Sequence, residues 1–223
     1  MNVPLDILEV IWLSLQVTTT AIMIGMLIGI PFGAFFGLYS FPGKRLAIIL
    51  VYTCMGLPPV LVGVIVYLLL SRYGPLGSLG LLFTPEAMII AQVILVTPII
   101  SGLTMSAVQA KERAFFETAK SLGASPVQLI ITIVKESRKG IWSGIAAAYG
   151  RAISEVGAVM LVGGNIEHHT RVMTTAIILE TRMGNFTSGL LLGLVLLAIS
   201  FLFNSFLMAG VLAQMKTKRR TNR

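Results

Sequence analysis

The sequence predicts an all-α polytopic membrane protein of about five transmembrane helices, each crossing needing about 20 mostly apolar residues. Three observations carry this. Of 223 residues, 56% are hydrophobic and 12% charged, with a mean hydropathy of +0.89. The apolar residues fall into runs long enough to cross a bilayer. The basic residues collect between those runs, as the positive-inside rule expects. A net charge of +8 therefore reads as membrane topology, not as a nucleic-acid footprint. Cys54 lies alone within an apolar run, so no internal disulfide is expected and a buried, inert thiol is the reading. Asp6 and Glu9 stand near the start, where a cleavable signal peptide would be basic.

The first span runs from about Val10 to Leu38. Its glycines, Gly25, Gly29, Gly33 and Gly37, recur every four residues and make a smooth seam on one face. Such a seam lets another helix approach closely. Pro31 lies within it and is expected to bend the helix. Lys44 and Arg45 follow in a tight turn. The second span, about Leu46 to Leu70, is interrupted by Gly56-Leu57-Pro58-Pro59. Two consecutive prolines break the hydrogen-bond ladder. A broken membrane helix persists only where protein or a wet cavity serves the freed backbone groups. Gly56, Pro58 and Pro59 are thus a candidate bend, either shaping the bundle or lining a pathway.

Ser71 to Glu86 reads as an extramembrane loop. The third span is about Ala87 to Val108, with Pro98 near its middle, and the fourth about Ile141 to Val162. A polar stretch to about Ser188 follows, in which Val172 to Met183 has helix-forming composition and suits a helix across the mouth of the bundle. The fifth span is about Gly189 to Ala213, and residues 214–223 form a basic tail suited to anionic lipid. With five spans, thirteen Lys and Arg fall on the side of residues 44–45, 111–139 and the tail, and three, Arg72, Arg171 and Arg182, on the other. That places the N-terminus outside and the C-terminus in the cytoplasm. Residues 1–223 are expected to be a single transmembrane domain, with a core of about 10–213.

Between the third and fourth spans, residues 111–137 are neither apolar enough to cross nor loose enough to be a linker. Lys111 to Leu122 lacks Pro and Gly. Gly123 suits a left-handed helix end. Ser125 is placed to N-cap a second helix, with Pro126 at its first position and Gln128 as capping-box partner. A rigid helix-turn-helix held between membrane spans is a docking element, its shape fixed before a partner arrives.

Glu117-x-Ala119-x-x-x-Gly123 resembles the Glu-Ala-Ala-x-x-x-Gly loop of ABC importer permeases. Thr118 replaces the middle Ala, and Lys135-Glu136 stand where that family continues with Leu-Pro. The resemblance implies a coupling-helix loop at 111–137, with Glu117, Ala119, Gly123, Ala124, Ser125 and Pro126 seated on a cytoplasmic ATPase.

No chemistry of this chain's own is expected. There is no phosphate-binding Gly-x-x-x-x-Gly-Lys-Ser/Thr loop and no Gly-x-Ser-x-Gly elbow. His168 and His169 are adjacent, and neighbours do not share a helix face; no cysteine is near in sequence, so they read as solvated loop histidines and no metal site is expected. Arg151 and Glu155 are the charges within the spans. Four apart, they are expected to share a face and pair. The pair is either structural or part of a pathway in which Arg151 offers positive potential to an anion. A membrane-embedded enzyme would need more ionisable groups than these two, and remains the remote alternative.

Gly150-Arg151-Ala152-Ile153-Ser154-Glu155-Val156-Gly157-Ala158, then Gly163-Gly164-Asn165-Ile166 and Thr170-Arg171, resemble the permeases for tungstate and molybdate. Thr174-Thr175-Ala176-Ile177 and Glu180-Thr181 lean to the tungstate branch. The resemblance implies a type I ABC importer permease fold in the cytoplasmic membrane. It implies a homodimer with a second copy, two ATPase subunits that bind ATP and Mg, and an extracytoplasmic oxyanion-binding protein. This chain would carry no cofactor. Molybdate, sulfate and phosphate are the competing cargoes.

Overall fold

A computed structural model describes residues 5–111, 117–118 and 121–221, with side chains placed at residues 7–111, 117–118 and 121–209. Its regular elements are helical. They are α1 (Leu5–Leu38), α2 (Lys44–Met55), α3 (Pro59–Leu70), a 3-10 turn (Gly77–Leu79), α4 (Pro85–Gln109), α5 (Pro126–Glu136), α6 (Arg138–Ile153), α7 (Gly157–Gly163), α8 (Met173–Arg182) and α9 (Phe186–Thr221). Helices α1, α4 and α9 are each long and apolar enough to cross a membrane. The bent pairs α2–α3 and α6–α7 each qualify only as a unit, giving three to five candidate spans.

The glycine seam of α1 is buried against α4. A Cβ built on Gly25 would sit 2.7 Å from Val96, one on Gly29 3.0 Å from Ile100, and one on Gly37 2.7 Å from Val108. Contact positions rise together along both helices, so α1 and α4 run parallel. The chain between them must therefore return to its starting side, and the α2–α3 pair is the element that returns it. Conversely, Gly140 faces Ala107 and Gly144 faces Leu103, so α6 runs antiparallel to α4. Small residues carry both contacts because dispersion between close backbones drives helix packing where lipid is as apolar as the side chains.

Three apolar clusters stack along this frame. One gathers Val62, Val66 and Leu70 of α3 with Ala87, Met88 and Ala91 of α4 and Ala158, Val159 and Val162 of α7. A second joins Ile22, Val96 and Ile100 to Ile145, Tyr149 and Ile153 of α6. Tyr149 stacks on Phe203 of α9 with ring centroids 3.6 Å apart. The third packs Leu129 and Ile133 of α5 on Ala34 and Val108. The outer faces, such as Leu27, Leu197, Phe201 and Phe206, are exposed apolar surface of the kind lipid covers.

The sequence places the fourth span at Ile141 to Val162, but the helix begins at Arg138, stops at Ile153 and resumes at Gly157 with a 54° bend. Ser137 alone separates α5 from α6. The chain of residues 214–221 continues the helix of α9.

Candidate functional site

Three features gather the residues that sequence reasoning singled out. The first is the turn before α5. Ser121 Oγ donates to the Glu117 carbonyl over 2.9 Å, and Leu122 N donates to the Thr118 carbonyl, as one helical turn requires. Gly123 then takes φ +78°, left-handed backbone that a side chain resists. Ser125 is extended and forms both arms of the capping box. Gln128 N donates to Ser125 Oγ at 3.3 Å, and Ser125 N donates to Gln128 Oε1 at 2.8 Å. Pro126 occupies the first position of α5. Ala119 lies outside the described residues.

This turn is held rigidly to the bundle. Leu129 and Ile133, four apart, are buried, and Tyr39 Oη donates to the Pro126 carbonyl at 3.3 Å. Lys111 and Glu136 pair at 3.4 Å, tying the end of α4 to the end of α5. The opposite surface is apolar yet exposed: Leu122 is 82% and Val127 65% accessible. An anchored base with a protruding apolar tip is the geometry of a docking element.

The second feature is the α2–α3 break. Gly56 N and Leu57 N close the end of α2 on the carbonyls of Thr53 and Cys54. Pro58 is extended, Pro59 starts α3, and the two helices diverge by 97°. Gly56 and Pro58 are exposed and Pro59 is half-buried.

The third feature is the α6–α7 break. The expected Arg151–Glu155 pair does not form. The helix ends between the two residues, so the four-residue spacing that puts side chains on one face no longer applies. Arg151 is exposed, with no acidic partner within ion-pair distance among the described residues. Glu155 is 6% exposed. Its Oε1 accepts from Ala158 N at 3.2 Å and so serves the opening turn of α7. Side chains bond the carbonyls around the break, of which Ala152 O also accepts from Glu155 N. Ser154 Oγ donates to Gly150 O at 2.8 Å, Gln92 Nε2 to Ala152 O at 3.2 Å, and Thr174 Oγ1 to Glu155 O at 2.9 Å. Gln92 was missed in the sequence, and Thr174 was noted only within the stretch that resembles tungstate permeases. A glutamine inside an apolar span was the available signal.

The two breaks meet. Val60, at the start of α3, lies against Gly157, at the start of α7, and Gly63 lies against Ala158. His168 and His169 form no metal cluster among the described residues. His168 Nδ1 instead lies 2.8 Å from Glu9 Oε2, joining the loop after α7 to the start of α1.

A bundle of broken and continuous apolar helices, with a rigid exposed turn at one end, defines a membrane transport component. The family described as "Binding-protein-dependent transport system inner membrane component" matches residues 29–215. The chain is 45% identical over 200 residues to the tungstate uptake system permease protein TupB of Peptoclostridium acidaminophilum, covering 90% of this chain and 88% of that one. It is 45% identical over 166 residues to the TupB of Campylobacter jejuni, covering 74% and 70%. Among solved structures, the inward-facing MetNI methionine ABC transporter aligns with a TM-score of 0.75 at 17% identity, over 95% of this chain and 99% of that one. The chain belongs to the family of binding-protein-dependent transport system inner membrane components. It is an ABC transporter permease of the inner membrane, and the ATPase is a separate subunit.

Proposed function

We propose that this chain is the permease subunit of a tungstate importer. The observation that carries the reading is its 45% identity, over 90% of its length, to a tungstate permease. Two copies form the pathway, two ATPase subunits sit beneath, and an extracytoplasmic protein delivers the oxyanion. The fold is that of a type I importer permease, a single domain of five spans with the N-terminus outside. The parallel course of α1 and α4 supports this count, because the chain between them has to return to its starting side. The basic-residue distribution supports the orientation.

The loop Glu117–Pro126, with the exposed turn at Gly123, docks on the ATPase. Arg151 faces the pathway. A charged side chain on the face of a membrane helix is costly against lipid, and it has no partner within the described part of this chain. Between two copies it offers positive potential to a passing anion, with no carboxylate of the described residues within ion-pair distance. Gly56, Pro58 and Pro59 bend α3 toward the same break.

The test is uptake into vesicles carrying the assembled transporter and its binding protein. Tungstate should enter on ATP addition, ahead of molybdate and well ahead of sulfate and phosphate. Faster uptake of any of the other three would assign the cargo to that anion instead.

A further inference from the structure

Behind the α6–α7 break lies a cavity of about 10 Å³, lined by Ser14, Val17, Thr18, Gln92, Ile153, Glu155, Val172 and Thr174. That is room for about one water. Four elements meet there: α1, α4, the break, and the segment leading into α8. The hydrogen bonds around it are largely assigned. Ser14 Oγ donates to Val10 O and accepts from Met173 N. Thr174 Oγ1 donates to Glu155 O.

The exception is Gln92, which is 4% exposed and whose Oε1 has no partner among the described residues. Its orientation is fixed, because only the amide nitrogen can donate to Ala152 O; flipping the amide would set oxygen against oxygen. Glu155 lines the same cavity with a carboxylate of which Oε1 takes one backbone N–H. No cationic side chain of the described residues lies within ion-pair distance of it. The cavity wall therefore presents an amide oxygen and a carboxylate, both acceptors, beside the hydroxyl of Thr18, which rotates to suit. Buried acceptors left unmade are costly. The occupant must bring donor hydrogens.

We propose that this cavity is a binding site for one ordered water, which donates to Gln92 Oε1 and to the Glu155 carboxylate and meets the Thr18 hydroxyl. The water completes the bonding of the break. With Gln92 holding Ala152 O and Thr174 holding Glu155 O, it joins α1, α4 and α8 to the bend between α6 and α7. The bend is thus fixed by a wet joint rather than by proline. This inference does not depend on which anion is carried.

The assembled transporter imaged at a resolution that shows neighbouring waters should carry density within hydrogen-bond distance of Gln92 Oε1 and Glu155. A direct Glu155–Gln92 contact with nothing between, or a dry site, would overturn the proposal. Thr18→Ile and Thr18→Val separate the alternatives by stability. If the site is wet, Thr18→Ile expels the water and strands two acceptors, so the melting temperature falls by several degrees relative to Thr18→Val. A dry cavity would be filled, and Thr18→Ile would melt at or above Thr18→Val. Melting that rises when sodium replaces choline in the buffer would assign the site to a cation and overturn the water.

Discussion

A Cβ built on Gly157 would sit 2.8 Å from Val60 Cγ2, so the first residue of α7 is closed over by the first turn of α3. Both residues follow a break in their span, and each break supplies the other's wall. A larger side chain at 157 must turn the Val60 side chain aside, displace α3 or reopen the bend. Overpacking of this kind costs about 1–3 kcal/mol. Gly157→Val is expected to lower the melting temperature of the purified permease and to abolish uptake. Adding Val60→Ala should recover part of the melting temperature. No recovery in the double variant would show that the two breaks do not lean on one another.

The turn at Gly123 makes a cleaner separation of fold from function. At φ +78°, a β-branched residue is held against its preference at a cost of about 1–2 kcal/mol. Nothing lies within 4 Å of a Cβ there, so the change meets no steric barrier in the bundle. Gly123→Val is expected to insert and fold, with the ATPase still present but no longer stimulated by loaded binding protein. Uptake should fall with it. Normal stimulation by a well-expressed Gly123→Val permease would remove this turn from the docking surface.

This turn was legible in the sequence because its signals are local. A glycine, a serine cap, a proline and a capping-box glutamine each act within a few residues, and each is found in its expected role; most of the helix run expected before Gly123 lies outside the described residues. The glycine seam was legible as a seam, but its partner was not, since nothing in α1 names α4. The break at Ser154 was harder. It has no proline, and Ser154, Glu155 and Gly157 each occur in continuous helices. Support for it comes from far away in sequence: Gln92 on α4 and Thr174 on α8 bond carbonyls on either side of the break. The same tertiary support explains why the Arg151–Glu155 spacing misled. A four-residue spacing implies one face only while the helix continues.

The proposed orientation rests on the basic residues, and the proposed crossing count on the parallel α1 and α4. A reporter active only outside the cytoplasm should be active when fused after Gly80, between α3 and α4, and silent when fused after Ala124, ahead of α5. The opposite pattern would invert the membrane topology, and activity at both sites would mean that α4 does not cross.

Glu155 and Arg151 should respond to substitution independently, because they do different work. Glu155 is buried and its Oε1 receives Ala158 N. Glu155→Gln keeps an acceptor oxygen in place and is expected to hold most of the stability. Glu155→Leu leaves that N–H unserved and should cost about 1–3 kcal/mol, the penalty of a buried donor without a partner. Arg151 is exposed, and its side chain makes no ion pair within the described part of this chain. Arg151→Gln should therefore change stability by no more than about 0.5 kcal/mol, as surface substitutions do, while uptake slows and the stimulated ATPase rate is retained. Arg151→Lys, which keeps the charge, should restore part of the uptake. A double variant tests their independence directly. The losses of Arg151→Gln and Glu155→Leu should add to within about 0.5 kcal/mol, as they do for uncoupled sites. A larger coupling would mean that the two side chains meet in some state of the transport cycle.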